Sequence, residues 1–254
     1  MRDIMGMSVL ITGGGSGLGE GIARHFVARG ALVTISGRRP DKVAAVAAAL
    51  GPNCCAVVGD VTDAAGRQSM IDAAVAHGGG LSALINNAGN MYRGKITELD
   101  EAKLHEVFAS NVIGPMLLTG LAVPHLAKRG GAVVFFGSVH TRRSYPTASP
   151  YAATRAATEG LTRVLAAELG SQKICVNCMV PGAVPTELNV RAGIFADAEA
   201  SAKRLDTMSP QHPLGRIGTP EEIAEGVDYL ARAEWVTGVS LVVDGGLGLG
   251  MTEV

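Results

Sequence analysis

Three observations predict an α/β fold with a doubly wound, seven-stranded parallel sheet and helices on both faces. Short apolar runs alternate with helical patterns from one end of the chain to the other. Most of these runs are continuously apolar, as expected of parallel strands buried on both faces. A glycine cluster lies between the first run and the first helix.

The elements follow in order. Ser8–Thr12 reads as the first strand, and Leu18–Arg29 as the helix after the glycines. Ala31–Ser36 is the second strand, followed by a helix over Asp41–Leu50. Cys54–Gly59 precedes a helix over Ala64–His77, and Ala83–Asn87 precedes a long one over Asp100–Lys128. Gly131–Gly137 leads to a helix over Pro150–Leu169, then to a strand over Lys173–Val180. Thr219-Pro220-Glu221-Glu222 opens the last helix with a cap, a proline at its first position and two acids at the positive end of its dipole. Val239–Asp244 closes the sheet. Gly182 to Gly218 holds no strand, only the weakly helical Ala196–Leu205. It follows a strand's carboxyl end, where a substrate-covering lid is expected at about 183–218. No linker, charge run or repeat divides the chain, so residues 1–254 read as one domain.

Composition removes several function classes. The 254 residues carry a formal net charge of −1, with 47% hydrophobic and 18% charged residues. A sizeable core can therefore be buried, and the charge footprint of a nucleic-acid binder is missing. Aromatics at 4% do not furnish a stacking platform for single strands. No run approaches the roughly 18 consecutive apolar residues that span a bilayer, and the apolar stretch Ser8–Ile11 is too short for a signal-peptide core. A cytoplasmic protein without membrane partners is the expectation. Cys175 and Cys178 form a CxxC, but on a strand residues three apart point to opposite faces. These two, with Cys54 and Cys55, read as buried small hydrophobes. No His/Asp/Glu/Cys cluster has metal-ligand spacing, so no metal is expected.

Thr12-Gly13-Gly14-Gly15-Ser16-Gly17-Leu18-Gly19 lets the backbone turn tightly and approach a pyrophosphate at the helix N-terminus. Dinucleotide binding through Gly13, Gly15, Ser16, Gly17, Leu18 and Gly19 follows. An acid at the end of the second strand would hold the adenosine ribose hydroxyls, whereas arginine accommodates a 2′-phosphate. The chain has Ser36-Gly37-Arg38-Arg39 there, so NADP(H) is expected over NAD(H), with Arg38 and Arg39 as phosphate ligands.

Further motifs occur in fixed order: Asp60, Asn86-Asn87-Ala88-Gly89, Asn111, Ser138, Tyr151, Pro181-Gly182 with Thr186, and Asp244-Gly245-Gly246. With the glycine motif they resemble the single-domain short-chain dehydrogenase/reductase family over essentially the whole chain. The resemblance implies a Rossmann fold and hydride transfer between a nicotinamide and a carbonyl or alcohol carbon. It implies that Asp60 and Val61 contact the adenine and that Asn87, Ala88 and Gly89 line the cofactor. Pro181, Gly182, Val184 and Thr186 would border the nicotinamide. Ser138 would hydrogen-bond the substrate oxygen, Tyr151 would donate or accept its proton, and Asn111 would hold a water in the proton path. A homo-oligomer, tetramer or dimer, assembled through the alanine-rich helix that begins at Tyr151 is also implied.

One position departs from the family pattern. In Tyr151-Ala152-Ala153-Thr154-Arg155 an arginine replaces the usual lysine four residues on, one turn away on the same face. A phenol is a poor base at neutral pH unless a nearby cation stabilises its phenolate. Arginine supplies that charge and can hold ribose hydroxyls, but it cannot give up a proton. His140, Arg93 and Arg191 are further candidates for contact with a polar substrate. The expected activity is an NADPH-dependent ketone reduction. Its alternatives are an NAD(P)-dependent alcohol dehydrogenase acting oxidatively and, because of Arg155, a non-catalytic NADP-binding protein.

Overall fold

A computed structural model describes residues 1–250. Its seven parallel strands are β1 (Ser8–Thr12), β2 (Leu32–Gly37), β3 (Cys54–Val58), β4 (Ala83–Asn86), β5 (Gly131–Phe136), β6 (Ile174–Pro181) and β7 (Ser240–Val243). They lie in the order β3-β2-β1-β4-β5-β6-β7, in register as Val9 beside Val33 and Ala83, and Ala132 beside Cys175. The order reverses between β1 and β4, which opens a crevice at the carboxyl ends there.

Burial follows position in the sheet. Every residue of β1, β4, β5 and β6 is buried, which explains their continuous apolar runs. The edge strands β3 and β7 are only partly covered. Cys55 on β3 is accordingly half-buried beside Thr34 rather than buried as expected, whereas Cys54, Cys175 and Cys178 are buried free thiols.

The helices are α1 (Gly17–Val27), α2 (Pro40–Leu50), α3 (Ala64–Gly78), α4 (Glu101–Phe108), α5 (Gly114–Leu126), α6 (Ser149–Leu169), α7 (Leu188–Arg191), α8 (Ala198–Asp206) and α9 (Pro220–Arg232). One face of the sheet packs Val9, Ile11, Val33 and Ile35 against Ile22, Phe26, Val43 and Val227 of α1, α2 and α9. The other packs Leu10, Leu84, Val133 and Phe135 against Met70, Ile71, Leu118 and Leu169 of α3, α5 and α6. Alternate strand residues thus feed two cores, as the period of two requires. α9 begins with a complete capping box between Thr219 and Glu222.

The helix expected over Asp100–Lys128 is divided. Ala109–Ile113 forms a π-helical turn between α4 and α5. Pro115 has no amide hydrogen to offer the Asn111 carbonyl four residues earlier, and the helix widens at that point. The run Glu101–Leu126 is long and apolar enough to cross a membrane, but its apolar face, including Leu118, Ala122 and Leu126, packs on the sheet. The segment 182–218 carries α7, α8 and a 3₁₀ turn at Ser209–Gln211, and no strand.

The glycine turn fixes how closely α1 approaches β1. A Cβ on Gly19 would lie 2.3 Å from the Gly13 carbonyl oxygen and 2.6 Å from Asn87 Nδ2. Backbone cannot give way there, and overpacking of this kind costs about 1–3 kcal/mol. Gly19→Ala should therefore lower the melting temperature by several degrees, roughly 2–4 °C per kcal/mol at this size. An unchanged melting curve would contradict the packing described.

Candidate active site

One cavity of about 680 Å³ runs along the carboxyl ends of the strands, from Arg38 and Arg39 past the glycine turn to Ser138 and Tyr151. At one end the chain leaves β1 through Gly13 and Gly17, with φ of +70° and +57°, conformations that favour glycine. Asn87 holds this turn in place by donating from Nδ2 to the Thr12 carbonyl at 2.8 Å, and the Ala88 amide donates to Thr12 Oγ1 at 2.9 Å. Gly15, Ser16, Gly17 and Leu18 line the cavity, with no side chain at two of those four positions to fill it. A cradle so open, on the N-terminus of α1, fits a dinucleotide's pyrophosphate.

Beyond the turn lie Arg38, exposed and 3.7 Å from Asp60, and Arg39, which donates to Ser16 Oγ at 3.0 Å and Glu187 Oε2 at 2.9 Å. Val61, Asn87, Ala88, Gly89, Pro181, Gly182, Val184 and Thr186 line the same cavity. Arg191 was expected near the substrate. The structure instead places it in the electrostatic field of Arg39, Glu187 and Arg38, and burial and those two arginines hold its pKa below the ordinary value. The reason is the path of α7, which follows Glu187 directly along the β2 end of the cavity.

At the other end β5 delivers Ser138, and α6 delivers Tyr151 and Arg155, both buried. Ser138 Oγ accepts the His140 amide at 3.3 Å and lies 3.1 Å from His140 Nδ1. The His140 ring meets Tyr151 edge-on at 5.2 Å and leans on Tyr145 at 4.5 Å. Arg155 donates from Nη1 to the Phe136 carbonyl at 2.9 Å, and its guanidinium carbon lies 4.9 Å from the Tyr151 ring centre. Gly89 makes room for it: a Cβ there would meet Arg155 Nη2 at 2.7 Å.

Asn111 is buried, and its amide is occupied by protein. Nδ2 donates to the Asn90 carbonyl and Thr154 Oγ1, while Oδ1 accepts the Asn90 amide at 2.7 Å. The side chain thus ties the loop after β4 to α6 immediately before Arg155. Arg93 lines the cavity near His140 and anchors itself on the Pro146 carbonyl at 2.8 Å. Among the described residues no carboxylate lies within 4 Å of Arg93 or Arg155.

Three contributors were not singled out in the sequence. Tyr145 stacks on His140, and Glu187 reaches Arg39. Glu159, buried on α6, lies 2.5 Å from both Thr141 Oγ1 and Arg142 Nη2, fastening the turn that follows Ser138. Glu159 had a sequence signal, because it repeats the spacing of Tyr151 and Arg155 on one helix face. The other two come from loops and carry none. Among the described residues no three His, Cys, Asp or Glu side chains gather as metal ligands.

Comparison with known proteins agrees with this geometry. A family model described as Enoyl-(Acyl carrier protein) reductase matches residues 13–248. An uncharacterized oxidoreductase of Methylorubrum extorquens is 36% identical over 253 residues, covering 97% of this chain and 100% of that one. This chain belongs to the short-chain dehydrogenase/reductase family. Within that family, 2-(S)-hydroxypropyl-CoM dehydrogenase 3 of Xanthobacter autotrophicus is 34% identical over 247 residues, covering 94% of this chain and 95% of that one. A solved structure of 3-ketoacyl-(acyl-carrier-protein) reductase from Brucella melitensis, complexed with NADH, superposes with a TM-score of 0.88 at 30% identity, covering 96% of this chain and 99% of that one. The chain is an oxidoreductase of the short-chain type, a family that works with a nicotinamide cofactor.

His140 provides a pH test of the site. Burial, then the charges of Arg93 and Arg155, push its pKa down from 6.5 to about 4. The unfolded chain therefore takes up this proton first as pH falls, and stability should drop from about pH 6.5 toward 4. A ring-resonance titration should show His140 neutral above pH 5, and His140→Asn should flatten the stability slope in that window. A midpoint near 6.5 would contradict the described environment.

Proposed function

We propose that the protein is an NADP(H)-dependent ketone reductase, reversible in principle, with Tyr151 as the proton donor. The observation that carries this reading is the convergence of Ser138, Tyr151 and Arg155 at one end of a cavity whose other end is rich in arginine. The glycine turn would hold the pyrophosphate, Asp60 and Val61 the adenine, and Arg38 and Arg39 a 2′-phosphate. When bound, the cofactor supplies or receives a hydride.

The chain's own residues handle the oxygen and its proton. Ser138 Oγ accepts the His140 amide and, with His140 protonated at Nδ1, would accept there too, leaving its own hydrogen for a substrate oxygen. Tyr151 gives its phenolic proton to that oxygen as the carbonyl becomes an alcohol. Arg155 stands over the ring and stabilises the negative charge the phenol then carries. Neutral His140, 3.1 Å from Ser138, can pass a proton onward where arginine cannot. Asn111 fixes Arg155 through Thr154. Holding a water in the proton path would fall to its backbone carbonyl, which Pro115 leaves without the usual helical donor. Arg93, without a carboxylate partner among the described residues, lines the cavity near His140 and suits a polar or anionic substituent. The segment 183–218 would cover the substrate. Exposed Ile113, Met116, Leu117 and Val164 on the outer faces of the π turn, α5 and α6 suit assembly into a homo-oligomer.

Turnover of a ketone panel, followed at the NADPH absorbance, tests this reading. Tyr151→Phe keeps the ring but removes the proton, so turnover should fall roughly 10²–10⁴-fold, the range of acid–base groups. NADPH binding should change little. Near-normal turnover of Tyr151→Phe, or no ketone accepted despite tight NADPH binding, would overturn the assignment.

A further inference from the structure

The arginine-rich end of the cavity already holds an anion, and that anion belongs to the chain. Arg39 Nη2 donates both to Glu187 Oε2 and to Ser16 Oγ. Ser16 sits in the glycine turn, Arg39 opens α2, and Glu187 comes from the opposite wall, directly after Thr186. Hydrogen bonding from Arg39, the charges of Arg39 and Lys42, and a contact with Ser16 hold the Glu187 carboxyl below the usual carboxylate range. Arg191 stands in the same field. A guanidinium, a hydroxyl and further cations around one carboxylate form the donor set that recognises a phosphate.

We propose that Glu187 is a specificity-determining residue: its carboxylate occupies the donors meant for the cofactor's 2′-phosphate and yields them when that phosphate binds. The proposal rests on the NADP(H) reading. The Arg39–Glu187 pair lies at the solvent edge, with side-chain exposures of 40% and 44%. Pairs so exposed are weak, so a doubly charged phosphate can displace the carboxylate. While Glu187 remains nearby, its charge opposes the phosphate, which restrains affinity for NADP(H) without touching NAD(H). A carboxylate could alternatively accept the adenosine ribose hydroxyls, as an acid at the end of β2 would. Against this, its oxygens already face Arg39 and Ser16, donors that match an anion.

Binding of NADPH, NADH and 2′,5′-ADP to the wild type, Glu187→Gln and Glu187→Ala, by fluorescence or calorimetry, separates these cases. Both variants should bind NADPH and 2′,5′-ADP about threefold to tenfold more tightly, the effect shrinking as salt rises. NADH affinity should stay within twofold. Weaker NADH binding with unchanged 2′,5′-ADP would assign Glu187 to the ribose hydroxyls and overturn the proposal. Unchanged affinities for all three ligands would overturn it too, as would a loss of all three with intact melting curves. The wild-type ratio reports separately on the cofactor reading, which fails if NADH is preferred. The Glu187 proposal fails only if removing the carboxylate does not tighten 2′,5′-ADP.

Discussion

A buried cation, with no carboxylate within 4 Å among the described residues, shapes the Ser138–Tyr151 end of the cavity. Arg155 is 5% exposed, and among the described residues its guanidinium donates to the Phe136 carbonyl alone. Placing an ion in such surroundings is costly unless negative charge or strong dipoles compensate it. Glu159, one turn further along α6, does not do so, because its carboxylate is committed to Arg142 and Thr141. The Tyr151 ring lies under the guanidinium, its centre 4.9 Å from the guanidinium carbon. On the proposed mechanism, proton loss from Tyr151 would place compensating negative charge beside Arg155.

Much of the surrounding architecture serves that placement. Gly89 has no side chain because the guanidinium passes where a Cβ would be. The π turn brings Asn111 into contact with Asn90 and Thr154, joining the loop after β4 to the helix that carries Arg155. On the far side, Glu159 ties the turn after Ser138 to the same helix. The segment that carries Tyr145 is pinned by Arg93 on Pro146 and by the Gly94 amide on the Thr147 carbonyl, 2.9 Å away. Thr147 adopts a φ of +69°, a conformation that is strained for a β-branched residue and sustained by those contacts.

The sheet was legible in the sequence because parallel strands buried on both faces leave continuous apolar runs. All seven strands lie within a residue or two of their expected positions. Ser138 and Tyr151 were legible through the family resemblance, with which their places at a strand end and a helix start agree, and the glycine turn through its own spacing after β1. The π turn was not, since the expected helix carries two prolines, Pro115 and Pro124, and only Pro115 follows a widened turn. The position of Arg191 and the reach of Glu187 were also hidden. Both depend on how an irregular segment folds back over the cavity, and loops carry no period. Arg155 was conspicuous as a substitution, yet its dependence on Gly89 shows only in three dimensions.

On the proposed mechanism, Tyr151 requires charge at position 155 rather than a transferable proton there. Turnover against pH for the wild type, Arg155→Lys and Arg155→Met, on one accepted ketone, tests it most directly. The lysine form should bind NADPH within a few-fold of the wild type and turn over at an equal or higher rate. The methionine form should lose at least tenfold in turnover, with its pH–rate profile moved to higher pH. A methionine form as active as the wild type with an unmoved profile would contradict the account. So would a lysine form as impaired as the methionine one.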